Sequence, residues 1–379
     1  MQTGQTVTSD VEHADPRSAC PLSASTSAVT YLSLILALLA APLLACFPAA
    51  ASAESRLVAA QIESTSFINN RIGIGPRRKA TIYLPPGYAD SGRRFPVVYF
   101  LSSFFEDETA PFANHDAKRL FDAAIAAGVI GEVIVVTADF STPLGTSWFV
   151  NSDATGHWED FMVRELVPYV DTHYRTLPKA ASRGIAGDRA GGHGAIRFGM
   201  RYPEVFSAVY ALHPIGVGQG VQTMFSRPDW AQLEQAKSVD DLRANGYSLI
   251  FTSIFQAHLP DPGRPPLYFS PPARRVGDRL EVDAALTEKL QDNFYLDRQV
   301  GRYAANLKRL RGFRFDWGRG DTVADHIVSL QAFTRTLDEY SVPYEAEEYR
   351  GGWDDRRWGV EGRVYTEMLP FFRTKLLFD

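Results

Sequence analysis

The segment 184–195 reads GIAGDRAGGHGA and places a cluster of glycines between a short apolar run and a helix-forming stretch. Glycines on both sides of a central residue leave the steric room that a sharp strand-to-helix corner requires. We therefore expect a strand at 184–186, a corner at Arg189 and a helix at 190–202 that ends before Pro203. The N-terminus of that helix would present backbone amides at the corner, an arrangement that suits a negatively charged group.

Apolar runs and helical periodicity alternate on both sides of this corner. The continuous apolar run 96–101 is typical of a strand that is buried on both faces of a mostly parallel sheet. The remaining strands are predicted at 57–63, 79–84, 133–138, 206–212, 313–317 and 344–349. The first two of these are predicted to form a hairpin. Further helices are predicted at 116–127, 158–170, 325–340 and 364–377. This alternation predicts an α/β fold with a mostly parallel, doubly wound sheet.

Residues from about 215 to 311 interrupt the rhythm with helical candidates and the proline-rich loop 259–266. We interpret 215–311 as a partial cap inserted over the strand ends. No internal repeat is present, and residues 54–379 are predicted to form one domain that contains this insertion.

Composition and charge exclude some classes of partner. The chain has 379 residues, of which 45% are hydrophobic and 22% charged, as expected for one sizeable globular domain. Its formal net charge is −5, and no run of Lys and Arg provides a local basic field. Nucleic acid is therefore not an expected partner.

Residues 1–53 resemble a targeting segment. The apolar stretch 28–47 is followed at 51–53 by Ala-Ser-Ala, which fits the small-x-small pattern of signal peptidase cleavage. We predict a cleaved signal peptide and an exported protein, periplasmic or extracellular. The alternatives are a retained membrane anchor, since the stretch approaches spanning length, or lipidation at Cys46. Contact with a membrane is expected only through this segment.

Both cysteines of the chain, Cys20 and Cys46, fall within this leader. If the leader is removed, the mature protein has no thiol. Disulfides, thiol catalysis and thiolate metal sites are then excluded.

Several local patterns resemble the putative esterase family of the α/β-hydrolase superfamily, which includes enterochelin esterase-like enzymes and S-formylglutathione hydrolases. The patterns are TIYLPPGY at 81–88, EDF at 159–161 with ELVPYV at 165–170, YPEVF at 202–206 and MLPFF at 368–372. The resemblance runs from about residue 79 to 372. It implies an α/β-hydrolase fold and a triad of Ser, Asp or Glu, and His in that chain order.

The resemblance also exposes departures from the triad. Arg189 stands where the family has its nucleophilic serine, and Trp353 stands where it has its histidine base, whereas Asp321 matches the acid position. Ser102 and Ser103 occupy the place of a His-Gly pair that contributes an oxyanion amide.

Three further positions are candidates for ligand contact. The amide of Ala190, the residue after the nucleophile position, would be the second oxyanion donor. Trp148 and Phe149 occupy positions where the family often contacts substrate, although packing against the sheet edge is an equally good interpretation.

These substitutions remove the usual chemistry. Arginine has no nucleophilic oxygen and stays protonated at physiological pH, and indole cannot accept a proton as imidazole does. We predict either that Arg189 pairs with Asp321 and stacks on Trp353, or that it attracts an anionic ligand. The structural pairing is the favoured alternative.

Other side chains could in principle supply the chemistry. Asp188 adjoins the corner but is one place out of register, so it should point away from the cleft. His326 and His258 could reach the cleft, but a helix-surface or loop position is favoured for both, and His193 and His213 are expected to bond to local backbone groups. No pair of histidines has metal-ligand spacing and no loop resembles a phosphate cradle, so neither metal nor cofactor is expected.

Two functions are therefore consistent with these residues. The first is an esterase homologue without Ser-His-Asp catalysis that binds a partner or an unknown small molecule, ester or anionic. The second is an active ester hydrolase or acyltransferase that uses a different constellation of residues.

Overall fold

An eight-stranded sheet forms the centre of the computed structural model, which describes residues 54–352 and 357–379. The leader and Trp353 lie outside these ranges, so the predictions made for them stay predictions. In chain order the strands are β1 Arg56–Glu63, β2 Arg77–Leu84, β3 Val97–Leu101, β4 Ile134–Ala138, β5 Arg183–Asp188, β6 Ala208–Leu212, β7 Gly312–Gly318 and β8 Glu345–Tyr349.

The strand order is β1-β2-β4-β3-β5-β6-β7-β8. β1 pairs antiparallel with β2 and β2 antiparallel with β4, while every pair from β4 to β8 is parallel. The predicted doubly wound, mostly parallel α/β fold is confirmed.

The helices are α1 Ala110–His115, α2 Ala117–Ala126, α3 (Trp158–Asp160, Phe161–Leu166 and Val167–His173 in succession), α4 Ala190–Arg201, α5 Trp230–Gln235, α6 Gly246–His258, α7 Ala284–Phe294, α8 Val300–Leu307, α9 Ala324–Glu339 and α10 Leu369–Lys375, which the turn Val364–Met368 precedes. The helices that were predicted with bounds, α2, α3, α4, α9 and α10 with its turn, begin and end close to those bounds. No bounds were predicted for α1 or for α5 to α8. Within the described ranges, no helix is both long and apolar enough to cross a membrane.

A wide, π-helical turn lies within α3 and another directly before α10, and the periodicity did not predict either. The turns Phe161–Leu166 and Val364–Met368 come directly before Pro168 and Pro370, each near the start of the following α-helical segment. Proline lacks an N–H and its ring crowds the carbonyl four residues earlier. A wider turn before it relieves that crowding while the helix continues.

Alternating strand residues bury two apolar layers. Tyr99 faces the layer that α3, α4, α8 and α9 cover, whereas Val98 and Phe100 face the layer under α2 and α10. Period-two alternation in a strand that is apolar throughout explains why both faces of the sheet are covered.

A third apolar cluster joins α5, α6 and α7 to the corner residue Ala190 and to Trp148. These helices lie in the segment interpreted as a cap. α8 falls in the same segment, but Val300 and Leu307 pack in the layer beside the sheet. Two short hairpins, Asn151–Ser152 with Gly156–His157 and Ala273–Val276 with Arg279–Val282, complete the described strands.

Candidate functional site

The corner predicted from the glycines lies between β5 and α4. Arg189 has φ 52° and ψ −106°, a strained conformation for a residue other than glycine. Its backbone N–H donates to the carbonyl of Leu212 over 3.0 Å, which holds the corner against β6. A Cβ on Gly191 would lie 2.0 Å from the carbonyl oxygen of Leu101, so glycine is required where α4 approaches β3.

A group of charged side chains surrounds this corner, and we call Glu106, Asp188, Arg189 and Arg357 the corner cluster. Arg357 donates a short hydrogen bond to Oδ2 of Asp188, and Nη1 of Arg189 lies 3.8 Å from the same oxygen. Nη2 of Arg357 also lies 3.9 Å from Oε1 of Glu106 and 3.1 Å from Nε2 of His115. Burial raises the pKa of Asp188, and the two guanidinium groups oppose that rise.

The amide that was expected to serve an oxyanion is already bonded. Ser103 donates its backbone N–H to Oε2 of Glu106 over 2.9 Å. The hydroxyl oxygens of Ser102 and Ser103 are buried and have no hydrogen-bond partner among the described residues. Ala190 is fully buried at the first position of α4. The Glu106 carboxylate therefore accepts the amide for which the family resemblance implies an oxyanion role.

Asp321 follows β7, at the acid position that the sequence indicated, and two histidines hold it. Nε2 of His213 and Nδ1 of His326 each lie 2.7 Å from its Oδ2, and the Val323 N–H donates to its Oδ1 over 2.8 Å. Burial alone would raise the pKa of Asp321, but these three hydrogen bonds outweigh it and lower that pKa.

The helix-surface position favoured for His326 was therefore wrong, and the prediction for His213 was incomplete. His213 does bond to a backbone group, the Gly318 N–H, but both histidines also bond to Asp321 because the ends of β6 and β7 meet the start of α9. Within the described residues, the carboxylate beside Arg189 belongs to Asp188 and not, as predicted, to Asp321. The predicted stacking partner of Arg189, Trp353, lies outside those residues.

The nitrogen and oxygen atoms of His213, Asp321 and His326 lie within 4.8 Å of one another, close enough to share a cation. The hydrogen bonds indicate a different state. Gly318 donates its N–H to Nδ1 of His213 over 3.1 Å, so the ring proton of neutral His213 is on Nε2 and points at Asp321. A metal-bound neutral imidazole needs a lone pair on that nitrogen. The cluster is therefore best described as a hydrogen-bonded triad.

A cavity of about 460 Å³ lies beside this triad. His326 and Ser329 of α9 border it on one side and residues of α6 and α7 on the other. Its lining is mostly apolar and aromatic: Phe104, Trp148, Ile215, Met224, Tyr247, Ile250, Phe251, Ile254, Phe294, Tyr295 and Val323. Of the described residues that line it, none is Arg189, Ser102 or Ser103.

Trp148 and Phe149, which the sequence analysis grouped together, have different surroundings. Trp148 lines the cavity and donates its indole N–H to Oγ of Ser253 over 2.8 Å. Phe149 instead packs in the apolar layer beside the sheet. Consecutive positive φ values, 55° and 57°, turn the chain between these two environments.

Two other histidines, His193 and His258, do not line the cavity. His193 has Nδ1 3.1 Å from the carbonyl oxygen of Ile215, the local backbone contact that was expected. His258 is buried at the end of α6 and packs edge-on to Phe294 at 5.3 Å.

Glu106, His115 and Arg357 were not identified from the sequence. None of them lies in a recognisable motif, and they meet only because the loop after β3, the end of α1 and the segment before α10 converge at the corner.

Comparison with known proteins agrees with this fold. Residues 73–248 match the family described as putative esterase, a stretch that ends before Asp321. An esterase of Mycobacterium tuberculosis is 29% identical over 146 residues, covering 38% of this chain and 30% of that protein. An endo-1,4-beta-xylanase/feruloyl esterase of Xylanibacter ruminicola is 29% identical over 136 residues, covering 35% of this chain and 19% of that protein. The alignments thus span less than a third of either curated relative.

Solved structures match over more of the chain. A ferulic acid esterase has a TM-score of 0.60 at 20% identity and covers 85% of this chain and 98% of its own. An S-formylglutathione hydrolase from Agrobacterium tumefaciens has a TM-score of 0.54 at 14% identity, with 85% and 96% covered. These two structures show the fold, and the family match over residues 73–248 confirms the resemblance inferred from the sequence. The chain therefore has the fold of the esterase-like α/β-hydrolases, and its residues 73–248 match the putative esterase family.

Proposed function

We propose that this protein binds a small, largely apolar ligand in the cavity beside α9 and does not catalyse acyl transfer by a Ser-His-Asp mechanism. The observation that carries the proposal is Arg189 at the strained corner, with its guanidinium 3.8 Å from Asp188. A guanidinium has no nucleophilic oxygen and remains protonated. The corner keeps the geometry of a nucleophile turn and lacks the nucleophile.

The surroundings of the corner support this proposal. Oxyanion stabilisation needs donors aimed at the place where negative charge develops. Here the Ser103 amide donates to the Glu106 carboxylate. A tetrahedral oxyanion at this position would meet a negative charge and would have to displace it.

The cavity supports binding. Its volume of about 460 Å³ lies within the range of small-molecule sites, which are mostly apolar with a few polar groups. Aromatic side chains contribute a large contact area for an acyl chain or a ring. An ester that is held without being cleaved belongs to this class of ligand.

We also propose that residues 1–53 direct the protein out of the cytoplasm, to the periplasm or the outside of the cell. The apolar stretch followed by small residues supports export. Mass spectrometry of the protein from its own host would identify the mature N-terminus. A chain that begins at Met1 and stays in the cytoplasm would contradict the proposal.

The main proposal is tested by turnover and binding on the same preparation. We expect no hydrolysis of p-nitrophenyl butyrate above a heat-treated blank, and saturable binding of 4-propylanisole by isothermal titration calorimetry. Ile250→Trp, which fills the cavity, should abolish that binding. Val276→Trp, on an exposed hairpin, is the matched control and should leave it unchanged. Turnover that disappears in Asp321→Ala would overturn the catalytic half of the proposal.

A second function, hydrolysis by a different constellation, is favoured by one observation. A carboxylate that accepts from Nδ1 of a histidine orients the ring as a general base, and Asp321 does so for His326 at the cavity wall. In that case His326→Gln would remove turnover of the butyrate ester, whereas Arg189→Ala would not.

A further inference from the structure

The cavity beside α9 has a buried inner end and an exposed outer end. Trp148 and Phe294 line it and are only 1% and 3% exposed. Tyr247, Gln222 and Thr223 line it as well and are exposed to solvent. These exposed residues place the mouth of the cavity between the start of α6 and the residues that precede α5.

One side of this mouth is a loop that few bonds hold in place. Residues 218–227, here called the mouth loop, contribute to the cavity wall Gly218, Gly220, Gln222, Thr223, Met224 and Arg227. Among the described residues, no backbone-to-backbone hydrogen bond joins the mouth loop to a strand or to another helix. Met224 packs in the apolar cluster of the cap helices. The position of the loop relative to α9 therefore depends on side chains.

Asp325, in the first turn of α9, ties the mouth loop to that helix. Its Oδ1 accepts the backbone N–H of Gln222 over 3.0 Å, and its Oδ2 lies 2.5 Å from Nη2 of Arg227. Nη1 of Arg227 in turn donates to the hydroxyl of Tyr247 in α6 over 2.9 Å. A chain of contacts thus runs across the mouth from α9 through the loop to α6.

The contact leaves no space between the mouth loop and α9 at Gly220. A Cβ on Gly220 would lie 2.3 Å from Cβ of Asp325, so the loop backbone rests directly on this side chain. The side chains of Arg227 and Asp325 are 18% and 21% exposed, so solvent and salt screen their attraction less than that of a surface pair. Burial alone would raise the pKa of Asp325, but the Gln222 amide and Arg227 outweigh it and lower that pKa, which keeps the carboxylate charged at neutral pH.

We propose that Arg227 and Asp325 form a gate: the ion pair holds the mouth loop against α9, and the ligand enters and leaves only when the pair separates. This inference rests on the proposed binding function and describes how its cavity is reached. Closing loops of this kind limit the rates of binding and release. The gate lies at the mouth and the ligand binds at the inner walls, so weakening the pair favours opening equally with and without ligand. Both rates then rise by one factor, and the affinity stays the same.

Stopped-flow fluorescence measures both rates for 4-propylanisole, since Trp148 lines the cavity. Asp325→Asn keeps an acceptor for the Gln222 amide and removes the charge that holds Arg227. We expect it to raise the association and dissociation rate constants about tenfold each and to change the dissociation constant less than about twofold. Arg227→Gln should have the same effect. The double variant should be no faster than either single variant, because all three lack the same pair.

The matched control is Asp240→Asn. It removes an exposed ion pair, in which Arg243 lies 2.6 Å from Asp240, in the same cap segment but outside the cavity lining. Both rate constants should stay unchanged. If Asp325 were an ordinary wall residue, Asp325→Asn would change the dissociation constant and leave the association rate constant as it is. That result would overturn the gate.

Hydrogen exchange followed by mass spectrometry tests the gate without a ligand. In Asp325→Asn, peptides that cover 218–227 should exchange about tenfold faster. Peptides of β3 and β5 should not change, which also shows that the variant is folded. Unchanged exchange of the mouth loop would overturn the gate, whether or not the probe binds. Faster exchange in a protein that does not bind 4-propylanisole would show that the loop opens, but it would overturn the proposed function and, with it, a role of the gate in ligand entry.

Discussion

The backbone N–H of Ser103 and Oε2 of Glu106 lie 2.9 Å apart, at a position where the family resemblance implies an oxyanion donor. This contact predicts that restoring the nucleophile is not sufficient. Arg189→Ser alone should show no p-nitrophenyl butyrate turnover and no labelling by a fluorophosphonate, because base and oxyanion donor are still missing. Arg189→Ser with Trp353→His should react slowly, and adding Glu106→Ala, which removes the acceptor from the Ser103 amide, should raise the rate by about 100-fold, the contribution of one oxyanion donor.

A matched control keeps this result specific. Glu165 of α3 also accepts a backbone N–H, which Thr65 in the loop after β1 donates over 3.0 Å. Glu165→Ala in the double variant should leave the rate unchanged. Efficient labelling of Arg189→Ser alone would show that the corner needs neither change, and a triple variant no faster than the double would remove Glu106 from the explanation.

The corner cluster should contribute to stability. Arg357→Leu removes the guanidinium that bonds to buried Asp188, and leaving a buried carboxylate without its main partner costs about 3 kcal/mol. Urea unfolding followed by circular dichroism measures this loss. Adding Asp188→Asn should recover much of it, since the amide carries no charge. If Arg357→Leu unfolds at the same urea concentration as the unmodified protein, the cluster does not hold the corner.

The control for this measurement is an exposed pair. Arg77 and Glu63 lie 2.7 Å apart with side chains 64% and 68% exposed. Solvent screens such pairs, so Arg77→Leu should cost less than about 1 kcal/mol.

Local signals were sufficient to predict most of the fold. The glycines around Arg189 and the apolar run 96–101 indicate the corner and a strand buried on both faces, because both depend on residues adjacent in the chain. The π-helical turns were not predicted, although Pro168 and Pro370 could have indicated them.

Less of the candidate site than of the fold could be predicted from the sequence. Asp321 was found because the resemblance fixes its place after β7. The histidines that bond to Asp321 were not identified. His213 reaches Asp321 because β6 pairs in parallel with β7, and His326 reaches it from the first turn of α9. Contacts between side chains on different elements depend on the packing of the sheet, and spacing along the chain does not encode them.

Buried histidines should make the fold sensitive to acid. Burial, and next the charge of Arg197, lowers the pKa of His193 to about 3. The unfolded chain, with a pKa near 6.5, then binds more protons than the folded protein between these two values, so stability falls as the pH is lowered through that window. For His193 alone, the loss between pH 7 and pH 5 is about 2 kcal/mol. His258, whose pKa is also lowered by burial, acts in the same direction.

Urea unfolding at pH 7 and pH 5 tests this sensitivity. His193→Gln, which can still donate to the Ile215 carbonyl, should reduce the difference between the two pH values by about 2 kcal/mol. His157→Gln, at a side chain 50% exposed, is the control and should not change it. An unchanged difference in His193→Gln would mean that other groups cause the acid sensitivity.

Close packing at the corner predicts that replacing a glycine by alanine has very different effects on stability at two helix starts. In Gly191→Ala, the new Cβ would lie 2.0 Å from the carbonyl oxygen of Leu101, and both are backbone-anchored, so α4 has to move away from β3. We expect a loss of about 3 kcal/mol or more, the range of severe overpacking. Gly246 begins α6 with no atom within 4 Å of a new Cβ, so Gly246→Ala should be neutral or stabilise by up to about 1 kcal/mol. Thermal unfolding of the two variants measures the contrast. Equal melting temperatures would mean that α4 does not approach β3 as closely as the structure shows. The close packing at the corner beside Arg189 would then be contradicted.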